Sequence, residues 1–166
     1  MLGAFLAEQV RLAHDGPAWH GLALGENLEG ISAVQAASRP IPGAHSIWEI
    51  VLHLNAWVEE VGRRLGGADP GEPEAGDWPE VGPVSESAWS AARATLRSSH
   101  EAVAQAILDF PGERWQDKVG HELNAPLGTG VTFAAMISGL LQHDGYHGGQ
   151  VGLLRRALNP GGALVS

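Results

Sequence analysis

The sequence predicts an all-α fold, a four-helix bundle with a long crossover between its second and third main helices. Three observations predict it. Four segments carry apolar residues at helical spacing and are bounded by recognisable start and stop signals. No stretch alternates apolar and polar residues as a half-buried strand would. Residues 66–84 hold four prolines, five glycines, five acids and no base. That composition reads as a solvated connection, and a link of this length is long enough to cross the body of the fold.

The elements follow in order. Leu2, Phe5, Leu6, Val10 and Ala13 fall near one face of a first helix, which stops at Asp15-Gly16-Pro17. Ala18 to Ile31 carries Leu22, Leu24, Leu28 and Ile31, a weaker pattern broken by glycines, and reads as a continuing helix or a second short one. Ser32 to Ser38 adds one more helical turn before the stiff Arg39-Pro40-Ile41-Pro42-Gly43 stretch. Ser46-Ile47-Trp48-Glu49 is a capping box, in which serine and glutamate each satisfy a free backbone donor. From it Ile47, Ile50, Val51, Leu54, Val58, Val61 and Leu65 make one apolar stripe, ending at Gly66-Gly67. A third long helix is predicted from about Ser85 to Phe110, through Trp89, Ala92, Leu96, Val103, Ile107 and Leu108, with Pro111-Gly112 as its stop. Residues 111–130 are irregular. The last helix spans roughly Val131 to Leu158 and is stopped by Asn159-Pro160-Gly161-Gly162. The whole of 1–166 reads as a single domain, which buries roughly two-thirds of the surface its unfolded chain exposes.

Composition removes several classes of function. There is no cysteine, so disulfides, thiolate metal sites and cysteine nucleophiles are excluded, and any metal must be held by imidazole and carboxylate. The net charge of -9 repels a phosphate backbone, which argues against nucleic acid as a partner. No apolar run reaches the ~18 residues of a membrane span, and the first residues lack a basic leader segment. A soluble protein in the cytoplasm, with no membrane partner, is the expectation.

Eight histidines in this chain call for explanation. On the last helix, Asp144 and His147 fall inside the arc of Phe133, Met136, Leu140, Val151, Leu154 and Leu158, and His143 lies at its edge. Two histidines four apart project from adjacent turns of one face and can present two ring nitrogens to one ion; a pair of hydrogen-bonded core histidines shows the same pattern. His53 sits halfway along the capped helix, at the edge of its stripe. Inward side chains from two facing helices can meet in a bundle core, and three neutral imidazoles with open positions are the ligand pattern of a catalytic divalent metal. His14 and His100 read as solvated helix residues, His45 as a surface residue and His121 as a loop residue. His20, flanked by Trp19, reads as structural and is a candidate for a part in catalysis. Asp144 adjoins His143 and is placed to orient that imidazole or to act as a general base through metal-bound water; a solvated or backbone-bonded acid fits it equally. Glu49 precedes His53 by one turn, but its capping duty accounts for it. Gly145, Gly148, Gly149 and Gly152 share one flank, which predicts close approach of another backbone, within the bundle or across a dimer interface. Arg155 and Arg156 are candidates for an anionic substrate, against surface solvation.

"SIWEIVLHLNAW", followed far downstream by "HDGYHGGQVGLLRR", resembles the DinB/YfiT-like superfamily. The likeness extends to "AWHG", "RPIPGAHSIWE" and Trp89, nearly the whole chain. It implies a four-helix bundle of up-down-down-up topology, often a homodimer, and a divalent metal, typically zinc or nickel, on His53, His143 and His147. It further implies a metal-dependent transferase acting on a small molecule, with a low-molecular-weight thiol as possible cosubstrate. A non-catalytic metal-binding or dimeric interaction module and a metal-dependent hydrolase are the alternatives.

Overall fold

A computed structural model of the chain describes residues 1–124 and 126–159. Its elements are α1 (Leu2–Asp15), α2 (Leu24–Leu28), α3 (Ala33–Ala37), α4 (Ile47–Leu65), α5 (Glu86–Asp109) and α6 (Phe133–Leu158), with a 3-10 turn at Gly112–Gln116. There is no strand among the described residues. Nor is any helix among them long and apolar enough to cross a membrane.

The start signals act as the sequence predicts. Ser46 Oγ accepts from the Glu49 amide at 3.2 Å, and Glu49 Oε2 accepts from the Ser46 amide at 2.7 Å. Burial works against the Glu49 charge, but the Arg39 guanidinium and the two Ser46 donors outweigh it and hold the carboxyl at about 2. Ser85 and Thr132 cap α5 and α6 one way only, their hydroxyl oxygens accepting from the Ala88 and Ala135 amides. The weak pattern from Ala18 to Ile31 holds one short helix, α2, and the turn expected over Ser32–Ser38 is α3, with Gly30 at φ 72 turning the chain between them. α6 stops at Leu158 as predicted; Pro160-Gly161-Gly162 lie outside the described residues.

The four long helices close a ring in which α1 packs on α5 and α6, and α4 packs on the same two. Between α4 and α5 the long connection folds back along α4. Gly71 meets Glu60 and Arg64, Glu74 meets Arg63, and Asp77 meets His53 and Trp57. α5 then begins beside the short helices, where Glu86 Oε1 accepts from the Ala33 amide and the Trp89 indole N–H donates to the Ile31 carbonyl. The first fastening of this return is a pair of residues that the sequence pattern did not single out. Glu60 and Arg64 are 1% and 2% exposed and joined at 2.7 Å.

The core consists of two apolar clusters, one at each end of the bundle. One joins Val10, Val58, Val61, Val103, Ile107, Ile137 and Leu140; the other joins Ile50, Leu54, Trp89, Leu96, Val151 and Leu154. Between them lies a polar layer with a contribution from every long helix: His14, His53, His100, and the Asp144 and His147 of α6, all buried. His14 and His100 are therefore not the solvated residues the sequence suggested. They are 5% and 2% exposed, because His14 follows Val10 by four residues and His100 follows Leu96 by four, which puts each on its helix's inward stripe.

Candidate metal centre

α4 and α6 lie side by side at mid-height, and this brings His53 against His143 and His147. The ring centroids are 4.9 Å (His53–His143), 4.7 Å (His53–His147) and 4.5 Å (His143–His147) apart. One nitrogen from each imidazole falls within a group no wider than 4.8 Å. The three residues are the set the sequence predicted.

What surrounds these rings decides which nitrogens they present. His53 Nδ1–H donates to the Asp77 carbonyl at 2.6 Å, so its lone pair lies on Nε2. His147 Nδ1–H donates to Gln150 Oε1 at 2.7 Å, and its lone pair is likewise on Nε2. His53 Nε2 stands 2.9 Å from His143 Nε2. Two lone pairs at that distance repel unless a proton or a cation lies between them. Burial and mutual repulsion also keep the rings uncharged. Desolvation pulls all three below the ordinary histidine value, and the neighbouring imidazoles add to it, leaving His143 at about 4. Neutral, oriented imidazoles are what a borderline divalent ion takes as ligands. The residues fit a metal.

These shifts set a pH dependence for the metal-free protein. A histidine held below its unfolded value contributes its full stability above that value, near 6.5, and loses it as pH falls toward the folded value. Between pH 6.5 and pH 5 the metal-free chain is expected to lose about 1–2 kcal/mol of unfolding free energy from His143, allowing for its partial exposure. Urea titrations at the two pH values check this, and a gain in stability on acidification would contradict it.

The crossover supplies the rest of the site. The Asp77 carboxylate accepts from the Trp57 indole N–H at 2.7 Å and sits 3.3 Å from His53 Nδ1. Trp78 stacks on His53 at 3.9 Å and on the exposed His45 at 3.6 Å, sandwiched between the two imidazoles. The sequence pattern pointed to neither Asp77 nor Trp78, which lie 24 and 25 positions beyond His53 in a segment with no periodicity. Gln150 was legible as part of the "HGGQ" run, though its role was not; the three-residue spacing to His147 is the signal. Gln150→Ala is expected to weaken metal affinity about 10–100-fold, with full occupancy still reached at saturation. Competition against a chromophoric chelator measures it.

The other candidates fall elsewhere. Asp144 is 1% exposed, and its Oδ2 accepts from His100 Nε2–H at 3.2 Å instead of bonding to His143. The helix rotation that turns His143 toward α4 turns its sequence neighbour toward α5. His20 is exposed and lies against the glycine flank, where a Cβ on Gly145 would meet its ring at 3.7 Å. It does not line the hollow beside His53 and His143. Arg155 donates to the Glu26 and Asn27 carbonyls at 2.8 and 3.1 Å, closing the end of α2. No backbone is among the nearest atoms that a Cβ on the glycine flank would meet: Gly152 faces the Asn27 side chain, and Gly148 and Gly149 meet nothing within 4 Å.

A family model described as the DinB superfamily matches residues 23–151. The chain belongs to the DinB superfamily. The match runs from α2 into α6 and so takes in α4 and the part of α6 that carries His143 and His147. No curated protein and no solved structure matches the chain. In this DinB-superfamily protein the histidine triad is able to hold a metal ion.

Proposed function

We propose that this protein is a metal-dependent transferase that joins a low-molecular-weight thiol to a small organic electrophile, with zinc or nickel on His53, His143 and His147. The observation that carries the reading is the preset donor set: two imidazoles whose outer nitrogens are engaged by Asp77 and Gln150, their inner lone pairs turned toward a third. When bound, the ion lowers the pKa of an adjacent thiol or water and makes a nucleophile available at neutral pH. The protein's own residues do the remaining work. Asp77 and Gln150 hold the protons of His53 and His147 on Nδ1, and the Trp78 indole covers one face of His53 and keeps water from it. Asp144 is assigned to His100 and the polar layer; His20 and Arg155 stand on the far flank of α6 and at the end of α2.

The chain supplies no thiol of its own, so the thiol comes as a cosubstrate, and the cytoplasm is where such thiols stay reduced. The up-down-down-up course of the long helices belongs to the same reading. The return of the crossover along α4 supports it, since α5 then starts near the beginning of α4 and runs beside it.

A thiol panel tests the proposal. Bacillithiol, mycothiol, glutathione and coenzyme A are each offered with a chloro- or bromo-substituted dye. Turnover with one thiol, abolished by chelation and by His147→Ala, is the expected result. If no thiol is consumed and none perturbs the spectrum of the cobalt-substituted protein, the thiol mechanism falls and a water-activating hydrolase replaces it. A second reading, a non-catalytic dimeric module, draws on the uncovered flank of α6, where Gly148 and Gly149 meet nothing within 4 Å and Tyr146 and Leu153 are exposed. Light scattering in solution decides whether a homodimer forms.

A further inference from the structure

The His53–His143 edge of the centre opens onto a hollow of about 410 Å³. Its wall is built from apolar groups, chief among them Val61, Leu127, Val131, Met136 and Leu140 with the ring of Trp57. Two residues of opposite charge also line it, and neither offers a free positive charge. Arg64 gives Nε to the Glu60 carboxylate, Nη1 to the Leu127 carbonyl and Nη2 to the Gly71 carbonyl. Asp77 stands beside the imidazoles with its carboxylate on the Trp57 indole N–H. A carboxylate or phosphate entering the metal-free hollow would leave water, find no unpaired cationic side chain among the described lining residues, and approach Asp77 in a protein that already carries a net charge of -9. An uncharged apolar group entering the same space would exchange water for aliphatic and aromatic surface.

We propose that this hollow takes the uncharged, apolar part of the small organic substrate, an aryl or short alkyl group, and rejects acidic ones. That the occupant is a substrate rests on the transferase reading. That the hollow selects uncharged apolar groups rests on its wall alone, and the two can fail separately.

The probes are 4-fluorotoluene and 4-fluorobenzoate, equal in ring size and different in charge, followed by fluorine NMR on the full chain with and without cobalt. 4-Fluorotoluene is expected to bind the metal-free chain at least about tenfold more tightly than 4-fluorobenzoate, whose carboxylate can coordinate cobalt in the loaded protein. Gly139 lines the hollow, and a Cβ there would meet nothing within 4 Å. Gly139→Trp therefore fills free space without pressing on the core, and it is expected to abolish binding of 4-fluorotoluene while cobalt stoichiometry is kept. Ala135→Trp, at a second exposed lining position, repeats the block should the first variant fail to fold. Equal or tighter binding of 4-fluorobenzoate to the metal-free chain, no binding of 4-fluorotoluene, or binding undiminished in both tryptophan variants overturns the proposal. A hollow that behaves as expected in a protein that binds no cobalt would instead sink the transferase reading and leave this one standing.

Discussion

Replacing any one of His53, His143 or His147 by alanine is expected to drop bound divalent metal from about one equivalent per chain to almost none. Each substitution removes one of only three nitrogens in the group, and the chain has no cysteine to substitute for it. Metal analysis of tag-free protein measures this, and a stoichiometry unchanged by all three substitutions would end the metal assignment. The ion recovered reflects supply as well as preference, because which divalent metal fills an imidazole site depends on availability as well as on raw affinity. Chelation is expected to leave the helices intact. The two apolar clusters flank the polar layer and do not pass through it, unlike a zinc finger, whose fold is its metal site. Circular dichroism should keep its helical signal, while thermal stability falls by linkage, by about 4 kcal/mol for a site previously saturated a thousandfold. Complete unfolding on chelation would make the ion structural.

Asp144→Ala is expected to cost about 3–5 kcal/mol of stability, the penalty for leaving one member of a buried ion pair unpartnered. Burial alone would lower the His100 pKa, but the Asp144 charge and the Leu96 carbonyl outweigh it and raise the group above its ordinary value. A raised histidine contributes stability that is complete below about pH 6.5 and disappears as pH rises through its folded value. The wild type's advantage over the variant should therefore be larger at pH 6 than at pH 9. Replacing both partners, as His100→Leu with Asp144→Leu, should recover much of the loss, since two apolar groups leave no unpaired charge. Metal stoichiometry should survive Asp144→Ala. A variant that keeps its stability and loses its metal would return Asp144 to the service of His143, the role its sequence position suggests.

These two predictions separate what was legible in the chain from what was not. His143 and His147 share one helix, four residues apart, and that geometry is local. His53 lies on a different helix, but its mid-length position beside a long apolar stripe was enough to pair it with them. The capping box at Ser46 acts within one turn, so the local sequence settles it. His14 and His100 face inward because each follows an inward apolar residue, Val10 or Leu96, by four positions; side-chain polarity alone predicts a solvated residue, and the helical spacing outweighs it.

The sequence by itself determined that this is an all-helical chain with a long crossover, and that three imidazoles on two of its helices are available to one ion. The helices and the His143–His147 pair follow from spacing along single helices, where neighbours in space are neighbours in sequence; the crossover follows from the composition of 66–84, and His53 joins the pair by its mid-length place on a facing helix. Only the tertiary structure decided that Asp77 and Trp78 press on His53, that Asp144 serves His100, that Arg155 is spent on α2, and that an apolar hollow opens beside the imidazoles. Each depends on the rotation of a helix about its own axis or on the path of a loop without periodicity. Those are settled by how all four helices bury their stripes together, and no single segment contains them.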